Sequence, residues 1–198
     1  MIFDFGGVIA EEGFREGLKA IARSNGMDEN IFFKQAEKLI YSTGYVLGKV
    51  PECAYWNALR ELTGLKYSDD VLRNELMLRF TIRPRMIEIV KKIRTEYCPV
   101  GILSDQTDWL DRIDEKYHIF QYFDFVFNSF YLGKGKRDKS LFGDISNRLS
   151  LKPEKILFID DNSGHCKRAK LSNYQVIVYT DHDLFVKAIT NIFPEISQ

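Results

Sequence analysis

The chemically reactive side chains of this sequence stand at the ends of short apolar runs. The run "MIFDF" contains Asp4, "PVGILS" ends at Ser104, and "KILFID" ends at Asp160, which is followed by a second acid, Asp161. Lys136 lies in the loop after a further apolar run, "FDFVFN". Two adjacent carboxylates repel each other, and a bound cation would offset that repulsion. The acid pair therefore indicates a cation site, and the conjunction of all five residues is more specific than any one of them.

Two glycines, Gly6 and Gly7, follow the first of these acids. They are compatible with a tight turn that happens to begin with Asp4, or with a loop whose backbone approaches a ligand closely. Each reactive residue also has an ordinary structural interpretation when it is taken alone. Ser104 is a candidate helix N-cap, and Lys136, within the basic run "KGKRDK", is a candidate solvated surface residue.

Five short apolar runs predict the strands that would position these residues. Several are apolar nearly throughout, as parallel strands buried on both faces are. Helical patterns between them indicate a doubly wound α/β sheet, in which ligands bind outside the carboxyl ends of the strands. The predicted strands are 1–5, 99–104, 123–128, 155–160 and 174–179, and the predicted helices between them are 83–97, 107–117, 139–150 and 164–172.

Residues 12–82 interrupt this alternation. Amphipathic helical segments are predicted at 13–24, 28–42, 51–63 and 68–80, and no strand is predicted there. We therefore expect a small all-helical cap domain, residues 12–82, inserted after the first strand of a core domain formed by 1–11 and 83–198.

The composition favours a globular protein that acts on a small molecule. The 198 residues include 28 Lys plus Arg and 28 Asp plus Glu, so the net charge is zero and no nucleic-acid or membrane partner is indicated. Three separated cysteines favour a reducing compartment. The sequence has no apolar run of transmembrane length and no secretory signal, so a cytoplasmic protein is expected. The oligomeric state cannot be inferred.

The motifs in their order resemble those of the haloacid dehalogenase-like (HAD) hydrolase superfamily, over nearly the whole chain. "FDFGGVIA" matches the family's first motif, "GILSD" the second, "GKGKRDKSLF" the third with Lys136 at its lysine, and "ILFIDDNSGHCKRA" the fourth. The helical insertion stands where the family places a C1-type cap. The resemblance implies a Rossmann-like parallel five-stranded sheet, which agrees with the prediction made from the strands.

The resemblance implies catalytic roles for Asp4, Ser104 and Lys136. Asp4 is the expected nucleophile, which takes the phosphoryl group of a small phosphorylated metabolite and forms an aspartyl-phosphate. Lys136 offsets the repulsion between this carboxylate and the phosphate dianion. Ser104 and the first amides of the following helix are expected to hold the phosphoryl oxygens.

The resemblance also implies a Mg²⁺ site. Mg²⁺ takes oxygen ligands, which Asp4, Asp161 and the carbonyl of Gly6 would supply. Asp160 is expected to act through a water molecule or as an acid behind the ligands. Of the paired acids, Asp161 is therefore expected to matter more to the metal.

Three residues depart from the family pattern. Gly6 replaces the acid that usually protonates the leaving group, and Asp105 replaces an Asn that often follows the serine. Arg137 replaces the usual Pro after the lysine. Candidate substitutes for the missing acid are Glu11, Glu12 and His165, none of which is at a motif position. Tyr41, Tyr45 and Trp56 of the cap are candidates either for lining a pocket or for forming the hydrophobic core of the cap.

Three functions stay open. A Mg²⁺-dependent phosphatase is favoured because Asp4, Lys136 and both paired acids are retained. Gly6 and Asp105 favour a binding or regulatory protein with little or no turnover. A dehalogenase, in which Asp4 attacks carbon, is disfavoured because such enzymes do not need the paired acids. The lack of GxGxxG after a strand argues against a nicotinamide enzyme, and the missing lysine and catalytic-loop motifs argue against a kinase.

Overall fold

A five-stranded parallel sheet lies at the centre of the protein, in a computed structural model that describes residues 1–194. Its strands are β1 (Ile2–Phe3), β2 (Gly101–Ser104), β3 (Phe125–Asn128), β4 (Leu157–Asp160) and β5 (Gln175–Val178). Their order across the sheet is β3-β2-β1-β4-β5, and every neighbouring pair is parallel. The predicted α/β class with a parallel five-stranded sheet is confirmed.

Each strand is shorter than the apolar run that predicted it. The backbone pairing nevertheless continues past the short first strand, because the Asp4 amide donates to the Ile159 carbonyl at 2.8 Å and the Gly101 amide donates to the Met1 carbonyl at 2.9 Å. Asp4 is therefore held by the sheet although it lies just beyond β1. Since all strands run in one direction, Asp4, Ser104 and Asp160 meet at the same edge.

Helices cover both faces of the sheet and fill most of residues 12–82. They are α1 (Gly13–Ser24), α2 (Glu29–Ser42), α3 (Glu52–Thr63), α4 (Asp69–Met77), α5 (Pro84–Glu96), α6 (Trp109–Tyr117), α7 (Ser129–Leu132), α8 (Leu141–Leu149), α9 (Ser163–Leu171) and α10 (His182–Thr190). The predicted helices are present, whereas α7 and α10 were not predicted.

The predicted helix 68–80 is wrong at its end, because α4 stops at Met77. The chain turns there, and Phe80 leaves the helix to pack in the core beside Phe5, with the two ring centroids 6.1 Å apart. Burial of this aromatic ring offsets the loss of the last helical turn.

The helical segment (residues 12–82) has a hydrophobic cluster of its own, separate from those on the two faces of the sheet. Trp109 of α6 is inserted into this cluster from the sheet side and is fully buried. The Glu52 carboxylate accepts hydrogen bonds from the indole of Trp109 at 2.9 Å, the indole of Trp56 at 2.8 Å and Arg73 at 2.7 Å. This carboxylate therefore joins α3, α4 and α6, and it fixes the helical segment over the edge of the sheet.

The division into a core domain (1–11 and 83–198) and a cap domain (12–82) stays a prediction. Among the helices of residues 1–194, none combines the length and the apolar character needed to cross a bilayer.

Gly17 permits the close approach of α1 and α4, and this contact can be tested. A Cβ atom added at Gly17 would lie 2.7 Å from the Cα atom of Leu76, so the helices would have to move apart. We expect Gly17→Ala to lower the free energy of unfolding by about 1–3 kcal/mol, the usual effect of overpacking. Urea denaturation measures this.

Gly143 in α8 is the matched control, because a Cβ added there meets no atom within 4 Å. We expect Gly143→Ala to raise the free energy of unfolding by about 0.5–1 kcal/mol through the lower backbone entropy of the unfolded chain. Equal effects of the two substitutions would show that α1 and α4 do not pack this closely.

Candidate active site

The ammonium group of Lys136 lies between two carboxylates at the carboxyl edge of the sheet. Its Nζ atom is 2.7 Å from Oδ2 of Asp4 and 2.7 Å from Oδ2 of Asp160. Lys136 is 1% exposed and Asp160 is 0% exposed, so the pairing occurs away from water. Oδ1 of Asp4 accepts a hydrogen bond from the Phe5 amide at 2.7 Å. Asp4 is thus fixed through both carboxylate oxygens, with a small part of its side chain open to the pocket.

The backbone of Lys136 is held as firmly as its side chain. Its amide donates to Oδ1 of Asp105 at 2.7 Å, and its carbonyl accepts from Nε of Arg168 at 2.7 Å. The second oxygen of Asp105 faces the Tyr41 hydroxyl at 3.4 Å. Asp105, which departs from the family pattern, is therefore turned to the lysine loop and positions the lysine.

Both carboxylate oxygens of Asp160 contact hydrogen-bonding groups of the protein. Oδ1 accepts from the Asn162 amide at 2.7 Å, and Oδ2 is 3.2 Å from Nδ1 of His165 in addition to the Lys136 ammonium. Asp4, Asp160 and His165 offer possible metal-ligand atoms within 4.8 Å of one another. Because the ammonium of Lys136 already occupies the space between the two carboxylates, a divalent cation there would meet direct repulsion. This arrangement favours Asp160 as the acid that positions the lysine.

Gly7 lets the carboxylate of Asp161 approach the loop after β1. Gly7 has φ of +76°, and a Cβ atom there would lie 2.6 Å from Cγ of Asp161 and 2.8 Å from Oε1 of Glu12. Any other residue at this position would be strained and would displace both acids. Gly6 differs, because its φ is not positive and a Cβ atom would meet Oε1 of Glu12 at an ordinary 3.6 Å.

The pKa values of Lys136 and Asp160 depend on their burial and on the charges that face each of them. Burial lowers the pKa of Lys136, but the charges of Asp4 and Asp160 outweigh it and raise the pKa far above its usual value. Burial raises the pKa of Asp160, but Lys136 and then His165 outweigh it and hold the pKa well below its usual range. Asp160 and Lys136 are therefore a charged pair.

Three carboxyl groups near this pair, those of Asp4, Glu12 and Asp161, have raised pKa values. Burial raises the pKa of Asp4 more than Lys136 lowers it. Desolvation raises the pKa of Glu12, and the neighbouring Asp161 adds to the shift. Desolvation raises the pKa of Asp161 as well, and the charge of Asp160 adds to it. A cation bound beside these carboxyl groups would stabilise their ionised forms.

Ser104 is the last residue of β2 and lies in the pocket wall, 3% exposed. Its interpretation as a helix N-cap is wrong, because Asp108 takes that position at the start of α6. The expectation that the first amides of this helix hold the phosphoryl group is also wrong for Trp109, whose amide donates to Oγ1 of Thr107. An irregular loop separates β2 from α6, and Asn128 and Ser129 tie it down through hydrogen bonds to Thr107 and Gln106.

A pocket of about 460 Å³ opens between the edge of the sheet and the helical segment. Tyr41 lines it and stacks against Arg137, whose guanidinium carbon is 3.8 Å from the ring centroid. Arg137 also forms an ion pair with Glu37 at 3.2 Å. The predicted pocket roles of Tyr45 and Trp56 are wrong, because both side chains are fully buried in the hydrophobic cluster of the helical segment. The polar lining comprises Asp4, Gly6, Glu12, Arg15, Glu37, Tyr41, Ser104, Asp105, Gln106, Lys136, Arg137, Asp161, Asn162, Ser163 and His165.

The three candidate substitute acids have different surroundings. Glu11 is exposed and pairs with Arg83 at 2.8 Å, outside this pocket. His165 lines the pocket, but its Nδ1 atom faces Asp160. Glu12 is half-buried in the pocket wall, beside Gly6. The sequence contains no motif that distinguishes Glu12 from Glu11, or that indicates Arg15 as a pocket residue.

Comparison with known proteins relates the sequence to one family. Residues 1–170 match a family model described as haloacid dehalogenase-like hydrolase. None of the curated proteins matches the chain.

Solved structures share the fold. A HAD family enzyme from Bacteroides thetaiotaomicron is 21% identical, with a TM-score of 0.74 over 97% of this chain and 96% of that chain. A predicted HAD-like family hydrolase from Porphyromonas gingivalis is 20% identical, with a TM-score of 0.76 over 98% and 97%. The L-2-haloacid dehalogenase from Xanthobacter autotrophicus is 15% identical, with a TM-score of 0.65 over 96% and 81%.

At these identities the solved structures establish the fold alone. The family model extends over most of the sequence, from the first strand through α9, and it includes all four motif regions. The chain belongs to the haloacid dehalogenase-like hydrolase family.

Proposed function

We propose that the protein is a Mg²⁺-dependent phosphatase of a small phosphorylated metabolite, which acts through an aspartyl-phosphate on Asp4. The observation that carries the proposal is the Lys136 ammonium, 2.7 Å from both Asp4 and Asp160 at the floor of the pocket. A buried cation beside the nucleophile offsets the repulsion between a carboxylate and a phosphate dianion, which is the main obstacle to phosphoryl transfer.

In the proposed reaction, a carboxylate oxygen of Asp4 attacks phosphorus, and the bond from phosphorus to the leaving oxygen breaks. Lys136 stabilises the negative charge on the phosphoryl oxygens. Ser104, which lines the pocket, donates a hydrogen bond to one of them in the proposed reaction. Water then attacks phosphorus, the aspartyl-phosphate bond breaks, and Asp4 returns to its starting state as inorganic phosphate leaves.

The pocket residues fit a Mg²⁺ ion. Asp4, Asp161 and the carbonyl of Gly6 are oxygen donors of the type that this hard cation prefers. The carboxylate of Asp161 lies against the bare backbone of Gly7; burial and the charge of Asp160 raise the pKa of Asp161, and a cation beside it would offset both effects. When bound, the ion supplies positive charge to the phosphoryl group. The enzyme from B. thetaiotaomicron has been crystallised with magnesium and inorganic phosphate, which supports this assignment.

A second candidate function is a binding or regulatory protein with little turnover. Gly6 favours it, because residue 6 has no side chain that could protonate a leaving group. A dehalogenase is less consistent with the site, although the X. autotrophicus enzyme holds a covalently bound chloropropionic acid. Attack on carbon needs no metal, and the carboxylate of Asp161 in the pocket wall would have no evident role.

We predict that the Asp4→Asn variant loses Mg²⁺-dependent turnover by several orders of magnitude, because an amide is a poor nucleophile. The measurement is release of inorganic phosphate from para-nitrophenyl phosphate and from a panel of phosphorylated metabolites. Circular dichroism is the control for folding. Turnover near that of the wild type in Asp4→Asn would remove the phosphatase assignment.

We predict that Asp161→Asn weakens Mg²⁺ binding more than Asp160→Asn, as titration calorimetry would measure. Asp160→Asn instead lowers the free energy of unfolding by about 3 kcal/mol, the lower end for breaking a buried pair, because Lys136 retains Asp4. Asp70→Asn, whose carboxylate is 80% exposed, is the matched control for the loss of one charge. Equal or reversed losses of Mg²⁺ affinity would show that the ligand order is wrong.

We infer that residues 12–82 act as a cap that governs substrate choice, because Tyr41 and Glu37 of α2 form part of the pocket wall. We predict that Tyr41→Ala changes the ratio of kcat/KM between a sugar phosphate and para-nitrophenyl phosphate, since the ring contacts both Arg137 and Asp105. Tyr67→Ala is the control, because Tyr67 is 43% exposed and lies outside the pocket. An unchanged ratio in Tyr41→Ala would contradict the role of the cap.

A further inference from the structure

The proposed phosphatase reaction needs a proton donor for the leaving oxygen, and Gly6 cannot supply one. Breaking the bond from phosphorus to an alkyl oxygen produces an alkoxide unless a proton reaches that oxygen. A positioned acid typically contributes about 10²–10⁴-fold in rate to such a step. Gly6 has no side chain, so the proton must come from another residue of the pocket.

The carboxylate of Glu12 lies beside the position that a side chain at residue 6 would take. A Cβ atom built on Gly6 would be 3.6 Å from Oε1 of Glu12 and 4.0 Å from its Cδ, with nothing else of the described chain so near. Glu12 thus brings a carboxylate from eight residues after Asp4 to the space next to Gly6. It is half-buried in the wall of the same pocket as Asp4 and Lys136.

The local backbone explains why this side chain is available. Glu12 takes the N-cap position of α1, yet its carboxylate makes no capping hydrogen bond. The carboxylate is instead turned to the glycine loop, where a Cβ atom on Gly7 would be 2.8 Å from Oε1. The two glycines therefore leave the room that the Glu12 carboxylate occupies.

The other acids that line the pocket have partners or different proposed roles. Asp4 is held by Lys136, Glu37 is paired with Arg137, and Asp105 accepts the amide of Lys136. Asp161 is the proposed metal ligand. Glu12 takes part in none of these ion pairs; its side chain is hydrogen-bonded to Asp161, and its Oε1 atom lies next to the position of a side chain at residue 6.

We propose that Glu12 carries out the proton transfers for which residue 6 has no side chain, a role that rests on the proposed phosphatase function. As Asp4 bonds to phosphorus, the leaving oxygen takes the electron pair of its broken bond and the proton of the Glu12 carboxyl group. The carboxylate of Glu12 then removes a proton from the attacking water. The water oxygen bonds to phosphorus, and the electron pair of the aspartyl-phosphate bond returns to Asp4. Glu12 is then protonated again.

The first experiment compares two esters that differ in their need for a proton. Para-nitrophenolate leaves without help, whereas the alkoxide of ethyl phosphate does not, and ethyl phosphate has no hydroxyl group of its own to relay a proton. We expect Glu12→Gln to lower kcat/KM on ethyl phosphate by about 10²–10⁴-fold and on para-nitrophenyl phosphate by less than about tenfold. Glu16→Gln is the matched control, since it makes the same change one turn along α1 at a side chain that is 54% exposed.

The second experiment returns a carboxylate to residue 6. Gly6 has no positive φ, and a Cβ atom there makes only ordinary contacts, so the backbone accepts a side chain at this position. We expect Gly6→Asp combined with Glu12→Gln to recover turnover of ethyl phosphate relative to Glu12→Gln alone. In a background that retains Glu12, Gly6→Asp adds a further acid beside Glu12 and Asp161 and gives no such gain.

The ratio of the rates on the two esters is the discriminating quantity. A loss of metal or of folding in Glu12→Gln lowers both rates together, so an equal loss on both esters overturns the proposal. An unchanged ratio with an unchanged rate overturns it as well. If the wild type shows no Mg²⁺-dependent turnover of any phosphate ester, the phosphatase function itself fails, and the role of Glu12 fails with it.

Discussion

The buried ammonium of Lys136 is the interaction on which the rest of the site depends. Removing a charge from water costs several kcal/mol, and two carboxylates at 2.7 Å compensate for that loss here. The lysine has little freedom to move, because Asp105 and Arg168 bind its backbone and Asp160 is itself fixed by the Asn162 amide. The carboxylate of Asp4, the proposed nucleophile, is therefore held close to a fixed positive charge before any substrate arrives, which is the preorganisation that the proposed phosphoryl transfer requires.

The strand order explains how distant parts of the chain form this arrangement. β1 lies between β2 and β4, so Asp4 has Ser104 on one side and Asp160 on the other. The parallel direction places all three at the carboxyl ends of their strands, where the fold leaves an open edge. The helical segment covers that edge and is joined to α6 through Trp109 and Glu52. The residues proposed for the chemistry and those proposed for substrate contact thus come from different parts of the chain, with the pocket between them.

The sequence was sufficient to predict the sheet, the main helices and the motif residues at the sheet edge, because apolar runs and strand ends are local features. It was insufficient for the loop after Ser104, since this loop depends on hydrogen bonds donated by Asn128 at the end of β3 and by Ser129 at the start of α7. It was misleading for Tyr45 and Trp56, whose aromatic character fits a pocket and a hydrophobic cluster equally well. The direction of the Glu12 side chain could not be predicted either, because it depends on the angle at which the chain leaves the glycine loop.

The three departures from the family pattern are accommodated by contacts with nearby residues. Asp105 lines the pocket, but both of its carboxylate oxygens have partners: Oδ1 accepts the amide of Lys136, and Oδ2 faces the Tyr41 hydroxyl, so Asp105 supports the lysine loop. The charge of Arg137 is balanced by Glu37 and its guanidinium stacks on Tyr41, so the lysine loop is linked to the helical segment. Gly6 has no side chain, and the Glu12 carboxylate lies beside the space that a side chain there would occupy. A site in decay would leave such changes uncompensated, with unpaired buried charge or empty space. Here each change has a partner at contact distance, and this is the structural argument for an active enzyme over a binding protein that has lost its chemistry.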